Sequence, residues 1–181
     1  DGNIASGGAS SAAFGDCILG CTDETACNYV ADATGDDGSC FYAAVGFDCD
    51  GNCLSGTVQS IQMNTDAFGS EISWSITDAN GTEVAAGSGY SSYNTFDSEA
   101  CMDEGCYTVT MVDSWGDGWS GGNLIVAGVA FTHPEGSIAT GEICLPVTLG
   151  CMDETACNYN ADATNDDGSC DFVSCACEGT I

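Results

Sequence analysis

Residues 20–40 read GCTDETACNYVADATGDDGSC and residues 150–170 read GCMDETACNYNADATNDDGSC, one segment used twice at an offset of 130 with 18 of 21 positions identical. A duplication of this kind marks a structural unit and divides the chain before any other signal is read. Between the copies lies a stretch of different character, and before the first lies a Gly/Ala/Ser-rich start from Asp1 to Ala13. The expected organisation is an N-terminal segment over 1–16, a Cys- and Asp-rich module over 17–53, a β domain over 54–148 and a second Cys- and Asp-rich module over 149–181.

Cysteine sets the chemistry of the modules. Fourteen cysteines in 181 residues point to an oxidising, extracellular setting and at most seven disulfides. Structural zinc is the rival, but its C-x-x-C pairs are missing from this sequence. Module one holds Cys17, Cys21, Cys27, Cys40, Cys49 and Cys53. Module two holds Cys151, Cys157, Cys170, Cys175 and Cys177, with Cys144 as its sixth, because GEIC before LPVTLGC echoes GDC before ILGC. Cys101 and Cys106 are then expected to form a local pair closing the loop ACMDEGC, while the connectivity inside each six stays open. The same echo makes Ser10 to Ile18 look like the last strand of a β domain. That segment is either a linker or a strand donated to the sheet of a neighbouring copy.

The charge is one-sided. There are 28 acidic residues, one histidine and no lysine or arginine, for a formal charge of -28. This excludes binding to nucleic-acid phosphates and docking on anionic lipid surfaces, and it leaves no Lys or Arg to pair with a carboxylate. A hydrophobic content of 44% is too high for an unfolded polyanion. Asp outnumbers Glu by 19 to 9 and clusters with Asn and Gly, the material of oxygen-ligand loops, so Ca2+ is the expected compensating cation. No run of about 18 apolar residues is present, so no membrane-spanning helix is expected. No signal peptide is visible, and Asp1 fits a processed or internal start.

The middle segment reads as all-β, an antiparallel sandwich of jelly-roll or Ig-like type. Val58-Ile61-Met63, Ile72-Trp74-Ile76, Tyr107-Val109-Met111 and Leu124-Val126 carry the alternation of half-buried strands. Asp78-Ala79-Asn80-Gly81 places a hairpin turn between two such runs. In each repeat, ETAC is long enough for one helical turn, capped by Thr22 or Asp23 and by Asp153.

Three Asp-rich constellations are candidate cation sites. The first is the repeat, with Asp23, Asn28, Asp32, Asp36 and Asp37 duplicated as Asp153, Asn158, Asp162, Asp166 and Asp167. Hard cations want six to eight oxygens from short flexible loops, although Asx turns between disulfides would have the same composition. The second is Asp48, Asp50 and Asn52, spaced as calcium loops begin but without the later glycine and glutamate of an EF-hand. The third is the run DSWGDGWSGGN over 113–123, where Asp113 and Asp117 are the anionic ligands and Asp66 and Glu71 are acidic partners from a second loop. Trp115 and Trp119 in the same run suggest a carbohydrate partner as an alternative.

Enzymatic chemistry has little material. The one histidine, His133, precedes Pro134 in an expected surface turn, and Ser114, Asp113 and His133 make no triad without an oxyanion hole. The one sequon, Asn80-Gly81-Thr82, sits at the expected hairpin tip and is a candidate glycosylation site.

GCTDETACNYVADATGDDGSC followed by GFDCDGNC resembles the Cys/Asp-rich repeats that occur in tandem in large secreted surface proteins of aquatic bacteria. CYTVTMVDSWGDGWSGGNLIV, preceded by EISWSITDANG, is similar to the β domains that accompany those repeats. The resemblance implies secretion, calcium and a structural or adhesive role rather than a reaction. The expected function is a non-enzymatic subunit of an extracellular, disulfide-rich, calcium-stabilised polymer that assembles head to tail with other copies. The alternative is a monomeric calcium-dependent module that binds carbohydrate or another surface.

Overall fold

A computed structural model describes residues 17–173. The donated-strand expectation for 1–16, and the expected disulfides of Cys175 and Cys177, lie outside the described residues. The chain divides into two compact units, 1–44 and 45–181.

In the first unit, β1 (Leu19–Gly20) pairs in parallel with β2 (Gly35–Asp36), and a disulfide joins Cys21 to Cys40. So short a segment cannot bury a core of its own, and covalent stapling takes its place. ETAC forms a single turn, with the Ala26 N–H donating to the Asp23 carbonyl at 3.1 Å. Cys17, expected in a disulfide, carries an exposed free thiol.

The second unit holds two four-stranded antiparallel sheets. Its strands are β3 (Thr57–Asn64), β4 (Ile72–Thr77), β5 (Glu83–Ser88), β6 (Thr95–Met102), β7 (Gly105–Asp113), β8 (Asn123–Val126), β9 (Val129–Thr132) and β10 (Ile138–Leu145). One sheet runs β10-β7-β4-β5 and the other β6-β3-β8-β9. Period-two burial along β4 and β7 turns Ile72, Trp74, Ile76, Tyr107, Val109 and Met111 inward, where they meet Ile61, Met63, Leu124, Val126 and Phe131 from the other sheet in one core. Each such side chain contributes roughly 1.5–3 kcal/mol of burial, so the sandwich is held by its core and the modules by sulfur. Val58 falls out of phase with Ile61 and Met63 and faces solvent. The Asp78–Thr82 turn joins β4 to β5 as the Asn-Gly signal requires; Asp78 accepts from the Asn80 and Thr82 N–H groups, which leaves Asn80 exposed at the tip.

The cysteine pairing differs from expectation. Cys101 does not bond Cys106; Cys101 pairs with Cys53, and Cys106 pairs with Cys144. The physical reason is the topology. Cys101 ends a strand of one sheet and Cys106 begins a strand of the other, so the turn between them carries the chain across the sandwich. Cys144 therefore belongs to the β domain rather than to module two, and Cys53 ties the end of module one to β6. Cys27, Cys49 and Cys157 are also disulfide-bonded. Such a set of bonds belongs to an oxidising compartment outside the cytosol. No helix among the described residues is long and apolar enough to cross a membrane.

Module two repeats module one, with β11 (Leu149–Gly150) parallel to β12 (Asn165–Asp166) and a Cys151–Cys170 disulfide. It is fastened to the end of β10 by a buried side chain. Asn165 accepts from the Cys144 N–H at 3.0 Å and donates to the Cys144 carbonyl at 2.7 Å. Cys144 stands directly opposite Cys106. With its own N–H and carbonyl turned outward to Asn165, this is a non-hydrogen-bonded pair of the ladder, where side chains approach most closely and a cross-strand disulfide fits.

Candidate metal centre

Four connections, 65–71, 89–94, 114–122 and 133–137, gather at one end of the sandwich, because each follows an odd-numbered strand of β3 to β10 and precedes an even-numbered one. Antiparallel pairing sets Ile72 opposite Asp113. This brings Glu71, in a 3-10 turn over Gly69–Glu71, alongside the end of β7, and the Ser114 N–H donates to the Glu71 carbonyl at 3.1 Å. The loop after β7 folds back so that Asp117 joins them. One carboxylate oxygen from each of Glu71, Asp113 and Asp117 lies within 4.8 Å of the others.

Asp113 is the buried member, 1% exposed. Its Oδ1 accepts from the N–H groups of Trp115 at 2.8 Å and Gly116 at 3.2 Å, while Oδ2 has no hydrogen-bond partner in the protein. Burial pushes its carboxyl up, but the backbone N–H groups around it, Trp115 and Gly116 first, outweigh burial and hold it below the usual carboxylate range. Glu71 is pushed above its usual value, first by desolvation and then by the charges of Asp113 and Asp117. An ionised acid at the wall with a free oxygen, whose charge and that of Asp117 press on Glu71, is an arrangement that a divalent cation relieves. Oxygen-only donors suit calcium or another hard cation.

The loop is shaped for close approach. Gly118 has φ +88°, and a Cβ there would meet the Pro134 backbone at 2.5 Å, so only glycine lets the loop lie against the chain after β9. Trp119 is a plug in the core, 1% exposed, with its indole N–H on the Val112 carbonyl at 3.0 Å. The expected sugar face of two tryptophans therefore does not exist; Trp115 alone is presented, 80% exposed. His133 is not a surface turn residue either. It is 1% exposed, edge-on to the Trp119 ring, and neither ring nitrogen has a hydrogen-bond partner. Its backbone explains its place, because the His133 carbonyl takes the Trp119 N–H at 2.7 Å.

The other expected ligands are placed differently. Asp66 shares the loop end but not the carboxylate group: its Oδ1 accepts from the Ala67 N–H, and its Oδ2 faces Gly121. In the repeats the acids close local turns. Asp23 and Asp153 accept from Thr25 and Thr155, Asp36 and Asp166 from Gly38 and Gly168, and Asp37 and Asp167 from Ser39 and Ser169. Asn28 and Asn158 bridge backbone across the module, donating to the Ser39 and Ser169 carbonyls and accepting from Phe41 and Asp171. Asp48 accepts from the N–H groups of Asp50 and Asn52. Asp32, Asp50 and Asp162 are exposed. Among the described residues, Glu71, Asp113 and Asp117 are the one trio of carboxylates brought this close; the other compact group, Cys106, Glu142 and Cys144, contains a disulfide and offers no thiolate. No protein-family model, curated protein or solved structure matches this chain.

Proposed function

We propose that the chain is a non-enzymatic structural subunit of an extracellular polymer, with a calcium ion closing the loop end of its sandwich and further copies joined head to tail. The observation that carries the assembly is a handle shared by both modules. In module two the Thr148 N–H donates to Thr164 Oγ1, and the N–H groups of Thr164 and Asn165 return to the Thr148 carbonyl. In module one Ile18, Thr34 and Gly35 make the same three bonds. Both modules share these three bonds to the chain that enters them, and in module two that chain continues from the last strand of a sandwich; the Asn165 side-chain bonds to Cys144 have no counterpart in module one, where Gly35 takes that position. By this equivalence, residues 1–16 serve as a strand for the sheet of a neighbouring copy, the heterologous geometry that yields open filaments.

The cation part of the reading is supported by Asp113, buried, ionised and with Oδ2 free, in a chain whose sequence supplies no Lys or Arg to answer it. The disulfides support a place outside the cytosol. Deleting residues 1–16 and weighing the product by light scattering, with electron micrographs of the intact protein alongside, tests the assembly. Loss of polymer on truncation is expected. Polymer that survives truncation refutes strand donation, and intact protein that never polymerises refutes the filament.

A further inference from the structure

A second feature of the loop end owes nothing to the cation site. Asn64, Thr65, Asp66, Tyr93, Asn94, Thr95, Gly121 and Gly122 line a wide, open groove of about 690 Å³, a shape that suits one face of an extended ligand rather than an enclosed small molecule. Two glycines keep its floor bare. A Cβ at Gly121, where φ is +102°, would sit 3.0 Å from Asp66 Oδ2, and one at Gly122 would sit 3.0 Å from the Asn64 carbonyl. Tyr93 stands at its rim, 74% exposed, with φ +56°, a left-handed conformation that a bulky residue rarely adopts. It is held there by its own N–H on the Asp66 carbonyl at 2.9 Å, while the Asn94 N–H donates to Thr65 Oγ1 at 3.0 Å. The backbone therefore places an exposed aromatic residue at the rim of a row of amides and hydroxyls.

The groove's chemistry narrows the ligand. Asp66 Oδ2 makes no protein hydrogen bond and can accept from two adjacent hydroxyls, Asn94 uses one amide hydrogen on Ser91, and the Thr95 hydroxyl, which donates to Asn64, keeps its lone pairs. Asp66 is the one charged residue in the lining, and the sequence supplies no Lys or Arg, so an anionic group finds no counter-charge. An aromatic face for apolar C–H groups, next to mixed donors and acceptors, fits a neutral sugar ring. We propose that this groove binds a neutral glycan, one pyranose resting on Tyr93 with its hydroxyls on Asp66, Asn94 and Thr95.

Native electrophoresis of the full chain through gels containing soluble mannan, xylan or mixed-linkage β-glucan tests this, with alginate as the anionic comparison. The net charge of -28 draws the protein toward the anode, so migration in the polysaccharide gel relative to a plain gel of the same sample reads binding apart from any self-assembly. At least one neutral polysaccharide should retard the wild type, and Tyr93→Asn and Asp66→Asn should each weaken the effect about tenfold or more, with Trp115→Ala unchanged. Asn tolerates the left-handed backbone at 93, and Asn at 66 keeps the acceptor that Ala67 uses, so both variants should melt as the wild type does. If Tyr93→Asn fails to fold, Asp66→Asn decides. Retardation by none of the neutral polysaccharides, retardation by alginate alone, or equal retardation of wild type and Asp66→Asn overturns the proposal.

Discussion

Replacing Asp113 separates its two jobs, because one oxygen holds the loop and the other is free. In Asp113→Asn the amide oxygen keeps the acceptor for Trp115 and Gly116, while the negative charge beside Glu71 and Asp117 is removed. At a calcium concentration a hundredfold above Kd, the wild type gains about 2.7 kcal/mol of stability from a ligand that binds only the folded state. If loss of the carboxylate weakens binding about a hundredfold, the same calcium gives the variant only about 0.4 kcal/mol. At roughly 4 °C per kcal/mol for a domain of this size, calcium raises the wild-type melting temperature by about 11 °C and that of the variant by about 2 °C. In chelator the order reverses or closes, because the variant no longer crowds three carboxylates. Asp113→Ala behaves differently: it strands two N–H donors and costs about 1–3 kcal/mol with or without calcium. Calorimetric melts of the three proteins in chelator and in millimolar calcium read the whole pattern. A wild type that melts identically in both, or an Asn variant that shifts as far as the wild type, refutes the cation site.

Replacing Cys106 and Cys144 together by Val opens a cross-link of sequence separation 38 and should lower stability by about 4 kcal/mol on the chain-entropy account, read by urea unfolding. His133→Phe keeps the edge contact to Trp119 and removes two buried nitrogens without partners, so in urea unfolding stability should hold or rise by about 1 kcal/mol; a loss above about 2 kcal/mol refutes this reading of the site. Asp23, Asp37, Asp48, Asp78, Asp153 and Asp167 are held below their ordinary 3.8 by hydrogen bonds from Thr25, Ser39, Asn52, Thr82, Thr155 and Ser169. Their contribution is present above pH 3.8 and lost as the pH falls through the lower folded values, so melting in chelator should drop in that acid range. Glu71 has the opposite sign: its raised folded value makes the cation-free protein less stable as pH rises above 4.5, a loss that calcium should cancel in melts between pH 4.5 and 7.

Strand alternation was legible where both sheets bury one face, as in Ile72-Trp74-Ile76 and Tyr107-Val109-Met111, because a period of two is written in the residues themselves. The Asn80-Gly81 turn was legible for the same local reason. The cysteine pairs were not, since Cys106 meets Cys144 through a strand register that spacing along the chain does not encode. The acids of the DSWGDGW loop and Glu71 stood out by composition, yet composition could not tell Glu71 from Asp66. The register of β4 against β7 decides that, placing residue 71 at the end of β7 and residue 66 beside Gly121. His133 next to a proline reads as a turn, and only the fold-back of the loop onto β9 reveals why it is sealed.

The grip of Asn165 on Cys144 has a consequence for how such chains crowd together. β10 is an outermost strand, and a free outer strand invites sideways pairing with whatever extended chain comes near. By taking both backbone groups of Cys144, the Asn165 amide imitates one rung of a further strand and ends the ladder there. A further strand added along that margin must therefore stop short of Cys144, which confines any such pairing to the earlier residues of β10.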